Sequence, residues 1–176
     1  LMAARSDVFG FDNVTSCGTS TAVSLPCMFL DVGQRGFDSG MGTRRETLLD
    51  VLNRSGVMTH WRDNNSGCKG VCDRVSTEDV SRAHVAGLCS TSECWDERLL
   101  VGLQERFDRI EHDTLVVLHM KGSHGPAYAQ RYPPRFGVFQ PVCGSSSLDS
   151  CSQQSIVNAY DNALRYTDHV LDRTID

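Results

Sequence analysis

The sequence has no long hydrophobic run, no surplus of basic side chains and few aromatic residues. No stretch approaches the roughly 18 consecutive apolar residues of a membrane helix. The opening LMAARSDVFGF lacks the charged, apolar and cleavage regions of a signal peptide. The chain as written therefore reads as soluble. Its 17 Lys and Arg against 22 Asp and Glu give a net charge of −5 with no basic block, so the electrostatic footprint of a nucleic-acid binder is missing. P-loop, GxGxxG, HExxH and GxSxG patterns are absent as well, which removes the usual nucleotide, zincin and esterase signatures. There is no initiator Met at position 1, and LDRTID follows a helical pattern without a capping residue. The expectation is a piece of a larger protein.

What is present suits a folded domain. With 176 residues, 40% of them hydrophobic and 22% charged, the chain can bury a full core and is not expected to be disordered. Eight cysteines fall in four neighbouring pairs: Cys17 and Cys27, Cys68 and Cys72, Cys89 and Cys94, Cys143 and Cys151. Local pairing is the natural expectation, although eight cysteines allow 105 connectivities. Zinc binding would favour CxxC knuckles, and none occurs, so disulfides are preferred. They place the domain in an oxidising compartment such as a bacterial periplasm or a secretory lumen. Loops this short gain roughly 2 to 3 kcal/mol each on the chain-entropy model, so the staples serve to fix loops.

Thr43 and Glu46 fit a capping box, and Leu48, Leu49, Val51 and Leu52 lead to Gly56, which predicts a helix over 44–55. Val57 to Trp61 reads as a short strand, and RDNNSGCKGVCDR as a loop at its carboxyl end. Leu99, Leu100, Leu103, Phe107 and Ile110 predict a second helix beginning near Asp96. The run TLVVLH, residues 114–119, looks like a strand buried on both faces. GSHGP stops it, and prolines at 126, 133, 134 and 141 predict irregular chain over 125–151. Ile156, Ala159, Tyr160, Ala163, Leu164, Thr167, Val170 and Leu171 give a final amphipathic helix. Alternating helices and strands argue for a parallel α/β sheet. Ligands gather beyond the carboxyl ends of such strands. DNNSGCKG and KGSHGP would both lie there and share a site.

Few residues stand out chemically. Thr19, Ser20 and Thr21 precede AVSL, where one of them could simply cap a helix. Alternatively one hydroxyl is a nucleophile at a helix N-terminus, where amides and the dipole hold a phosphate. Such a hydroxyl needs a base or a metal to favour its alkoxide. Asn65 and Lys69 could bind an anion from a glycine-containing loop, or be a solvated amide and ammonium. His124, between Ser123 and Gly125, suits a hydrogen-bond donor or proton shuttle. His119 reads as structural, and His84, His112 and His169 as surface residues. Glu93, Asp96 and Glu97 read as acids complementing a helix start.

Four segments carry a resemblance: NVTSCGTSTAVSLPCMF, WRDNNSGCKGVCD, LHMKGSHGPAYAQRYPPRFGVFQPVC and IVNAYDNALRYTDHVLDRTI. Together they resemble the periplasmic catalytic domain of lipid A phosphoethanolamine transferases, a group within the alkaline phosphatase and sulfatase superfamily that includes the mobile colistin-resistance enzymes. The resemblance implies a sulfatase-like α/β/α sandwich, present here in part, as a fragment of a single catalytic domain over 1–176. It implies a monomer at the periplasmic face of the inner membrane, contacting the membrane through transmembrane helices outside this chain. It implies zinc held partly by Thr21, and attack by Thr21 on phosphatidylethanolamine to give a phosphoethanolamine-threonine intermediate. A lipid A phosphate then accepts the group, which lowers surface charge and confers polymyxin resistance.

Asn65, Lys69 and His124 match family positions that hold the phosphoethanolamine group or the acceptor, and the cysteine pairs match family disulfides. The family's remaining zinc ligands come from a glutamate before this stretch and a DHGE-type motif after it, and no such motif occurs here. The stretch alone is accordingly expected to bind zinc weakly or not at all and to be inactive. Two alternatives remain: a non-catalytic module binding anionic headgroups, and a transferase acting on another glycan or a protein.

Overall fold

A computed structural model describes residues 4–82 and 84–176, which cluster into two units. The first comprises residues 10–80 and 102–119. Its framework is three parallel strands, β1 (Met58–Asp63), β2 (Ser76–Asp79) and β3 (Thr114–His119), in the order β2-β1-β3. The register sets His60 against Ser76 and Val116, and Asp63 against Asp79 and His119. Around them lie α1 (Thr21–Phe29), α2 (Gly33–Gly36), α3 (Met41–Arg44), α4 (Leu48–Arg54) and α5 (Leu103–Phe107). The core of this unit gathers Leu25, Leu49, Trp61, Val71 and the Cys68 and Cys72 pair, with Phe29, Leu115 and Val117 against it.

The predicted helix over 44–55 begins later than its sequence suggests. Thr47, not Thr43, is the N-cap, and Asp50 rather than Glu46 completes the box. The Thr47 N–H and hydroxyl both donate to Asp50 Oδ2, at 2.6 and 3.0 Å. Arg74 selects this acid from 24 residues away, donating through Nε to Oδ1 at 2.9 Å and through Nη2 to Oδ2 at 2.5 Å. The tertiary ion pair overrides the local motif.

β3 has the predicted limits but not the predicted burial. All six of its side chains are half-buried, and among the described residues it forms an edge of the three-stranded sheet beside β1. β2 has no apolar pattern to announce it. Its polar residues are recruited by β1: His60 Nδ1 lies 2.9 Å from Ser76 Oγ, and Arg62 donates to Glu78 at 3.1 and 3.3 Å.

The second unit comprises residues 4–9, 81–101 and 120–176 among those described. Its backbone is α6 (Gln153–Ile175), capped by the Ser152 hydroxyl, which accepts from the Ser155 N–H. Ala159, Ala163, Tyr166 and Val170 recur at the helical period and are buried with Tyr132. The proline-rich chain they cover has no ladder to join, apart from single turns at Tyr128–Gln130, Pro134–Phe136 and Leu148–Ser150. Asn162, wholly buried, satisfies part of that backbone in place of a ladder, and its Oδ1 accepts from Val138 and Phe139 N–H at 3.0 and 2.9 Å. The expected helix from Asp96 onward is instead a 3-10 turn, Asp96–Leu100, interrupted by Gly102 at φ +71° before α5. His169, expected at the surface, is half-buried with Nε2 3.3 Å from Glu97.

Among the described residues no helix is long and apolar enough to cross a membrane. All four local cysteine pairs form disulfides: Cys17–Cys27, Cys68–Cys72, Cys89–Cys94 and Cys143–Cys151.

Candidate functional site

In the first unit, Thr21 is the first residue of α1. Ser20 is the N-cap with extended backbone and no side-chain capping bond, and its carbonyl accepts from Val23 and Ser24 N–H at 3.0 and 2.9 Å. The first turn contains no acidic residue. The positive end of the helix dipole and the Thr21 and Ala22 amides therefore meet no intrahelical partner and suit an anion. The Cys17–Cys27 disulfide ties the chain ahead of the helix to its later turn. Thr21 is half-buried and lies one turn before Leu25, whose face packs into the core beside Cys68 and Cys72.

That contact brings α1 to the loop carrying Asn65 and Lys69. Gly42 of α3 is wedged between them: a Cβ there would stand 2.9 Å from Pro26 of α1 and 3.1 Å from the Lys69 carbonyl. Gly70 is tighter still. At φ +91°, its added Cβ would meet Thr43 Cγ2 at 2.6 Å and Gly42 backbone at 3.1 Å. Lys69 itself adopts φ +54°, which is uncommon outside glycine. Its ammonium turns back on the loop, donating to the Ser66 carbonyl at 2.5 Å and the Ser66 hydroxyl at 3.0 Å.

Asp63, at the end of β1, organises this loop and was not singled out from sequence. Its Oδ1 accepts from the Asn65 N–H at 2.7 Å and the Gly67 N–H at 3.4 Å. Its Oδ2 takes Trp61 Nε1–H at 2.9 Å and faces His119 Nδ1 at 2.9 Å. Burial alone would raise its pKa, but the bonds from His119, Trp61 and Asn65 prevail and lower it to about 2. A cavity of about 300 Å³ opens here, lined by Trp61, Asp63, Gly67, Lys69, Thr77 and Asp79. A larger one of about 550 Å³ lies toward the strand starts, at Met58, Ser76 and Thr114, and includes none of the predicted site residues.

In the second unit, His124 is exposed on the turn that follows β3, with Nδ1 2.7 Å from the Gly125 carbonyl oxygen. Of the acids read from sequence as favouring a helix start, Asp96 and Glu97 do open the 3-10 turn and Glu93 lies outside it. Asp96 and Glu93 also hold the turn carrying His124. Asp96 accepts the Lys121 and Gly122 N–H groups, and Glu93 holds Lys121 and Arg131. Among the described residues, no three His, Cys, Asp or Glu side chains gather as a metal site. Thr21 offers one hydroxyl oxygen and every cysteine is oxidised, so the residues present do not by themselves fit a zinc ion.

Parallel strands with a braced helix N-terminus and a polar loop beyond β1 define an α/β protein of the kind that binds ligands at the carboxyl edge of its sheet. Within that class the chain belongs to the sulfatase family, which it matches over residues 2–176. It is 43% identical over 173 residues to phosphoethanolamine transferase EptA of Salmonella typhimurium, covering 98% of this chain and 32% of that protein. It is 44% identical over 182 residues to phosphatidylethanolamine transferase Mcr-1 of Escherichia coli, covering 99% and 34%.

Among solved structures, the soluble domain of lipooligosaccharide phosphoethanolamine transferase A from Neisseria meningitidis aligns with a TM-score of 0.85 at 39% identity, covering 91% of this chain and 48% of that one. The C-terminal periplasmic domain of phosphoethanolamine transferase EptC from Campylobacter jejuni gives 0.82 at 42%, covering 94% and 50%. The chain spans about a third of the length of the curated relatives it matches.

Proposed function

We propose that the protein is a phosphoethanolamine transferase in which Thr21 carries the group between donor and acceptor. The Thr21 Oγ attacks the phosphorus of phosphatidylethanolamine; the phosphorus–oxygen bond to glycerol breaks, and diacylglycerol leaves with the proton. A phosphate oxygen of lipid A then attacks the phosphoethanolamine-threonine, and Thr21 regains its proton. The observation that carries this reading is Thr21 at the first position of an uncapped, disulfide-braced helix packed against the Asn65 and Lys69 loop. The α1 amides and Lys69 are suited to the phosphoryl oxygens, and Asn65 and His124 to the headgroup or acceptor. The reading places the protein at the periplasmic face of the inner membrane, as a monomer conferring polymyxin resistance. The transferase names of the relatives support the reaction, and the Campylobacter jejuni neighbour, a C-terminal periplasmic domain, supports the periplasmic location. A zinc ion held in part by Thr21 would supply Lewis acidity at its hydroxyl, and the described residues do not complete such a site.

Incubation of the full-length protein with phosphatidylethanolamine, followed by peptide mass spectrometry, is expected to find phosphoethanolamine on Thr21 and to lose it in Thr21→Ala. An adduct on another residue refutes the assignment. Headgroup binding without any adduct would favour the non-catalytic module.

A further inference from the structure

The turn carrying His124 is held at both ends by acidic side chains that the proposed chemistry does not use. Asp96 is 2% exposed, and its two oxygens divide two consecutive amides: Oδ1 accepts from Lys121 at 2.8 Å and Oδ2 from Gly122 at 2.7 Å. Gly122, at φ +55°, supplies the left-handed conformation that aims neighbouring N–H groups at one point. Glu93 receives the Lys121 ammonium at 2.6 Å and Arg131 Nη1 at 2.6 Å. The same guanidinium donates through Nε to the His124 carbonyl at 2.6 Å.

Glu93 is fixed in turn by the Cys89–Cys94 staple, whose two residues also pair as an antiparallel bridge, with Ser90 N–H donating to the Glu93 carbonyl at 2.7 Å. At the imidazole, a carbonyl oxygen can only accept, so the contact with Gly125 puts a proton on Nδ1 and leaves Nε2 for a ligand. Isolated surface ion pairs contribute little. Here the charges terminate on the backbone of a single turn, before and at the histidine.

We infer that Asp96, Glu93 and Arg131 are positioning residues that orient the His124 imidazole toward a phosphate-bearing ligand, an inference that rests on the role proposed above for His124. The test is a mutant cycle in the full-length protein, following transfer from phosphatidylethanolamine. Arg131→Lys keeps a charge for Glu93 but loses the Nε donor; Asp96→Asn can accept at only one of its two positions. Each is expected to lower kcat/KM by about 10- to 100-fold, and neither to lower it further when His124 is already Ala.

Undiminished losses in the His124→Ala background overturn the inference. Should Asp96→Asn fail to fold, Arg131→Lys carries the cycle alone. If His124→Ala leaves transfer unchanged, the role proposed for His124 fails instead. Positioning is then read from the His124 imidazole resonances, which Arg131→Lys is expected to shift and whose constancy would overturn it.

Discussion

Asp63 shows how much one carboxylate at a strand end can govern. Its partner His119 lies 56 residues downstream, and its side chain is only 10% exposed. Held at a pKa of about 2 against a usual value near 3.8, it stays ionised in the folded protein where the unfolded chain would already be protonated. Its contribution, on the order of 2 kcal/mol, is therefore complete above about pH 4 and is lost as the pH falls toward 2. Urea unfolding at intervals between pH 2 and 5 is expected to show this slope in the native protein and a flatter one in Asp63→Asn. In the sequence, Asp63 is one polar residue of the run RDNNSGCKGVCDR, with nothing to single it out. Its importance comes from Trp61, His119 and two amides converging on it, and no local pattern encodes that. Thr21 illustrates the reverse: local pattern lets any of Thr19, Ser20 and Thr21 cap a helix, and the structure gives the N-cap position to Ser20 and makes Thr21 the first helical residue.

Element by element, the sequence was legible wherever one period or one stop signal dominated. TLVVLH became β3 with its predicted ends, and the apolar stripe after Ser152 became α6. It failed where distant partners decided. β2 exists because β1 offers it a ladder and an Arg62 to Glu78 pair, and α4 starts where Arg74 fixes Asp50. The close approach of α3 to the Cys68–Cys72 loop was likewise invisible, since a glycine in a loop advertises freedom rather than contact. Gly70→Ala would press a methyl against Thr43 and the Gly42 backbone at a positive φ. It is expected to lower unfolding free energy by about 2 to 3 kcal/mol in denaturant titrations, while Gly67→Ala, with open space at its Cβ, incurs only the backbone strain.

At the scale of the whole molecule, alternating helix and strand patterns announced an α/β fold, cysteine spacing announced its disulfides, and the family was legible in four long segments. Burial was less so: the strand expected to be covered on both faces is only half-buried along its length. Among the described residues no cysteine is free. Alkylation under non-reducing, denaturing conditions is therefore expected to label none of the eight, and labelling of any pair in properly folded protein would count against that staple. The four bridges join cysteines only 10, 4, 5 and 8 positions apart. A chain emerging residue by residue into an oxidising space can thus complete each crosslink within the segment that has just appeared. No thiol has to wait, exposed to wrong partners, for a mate still to be delivered.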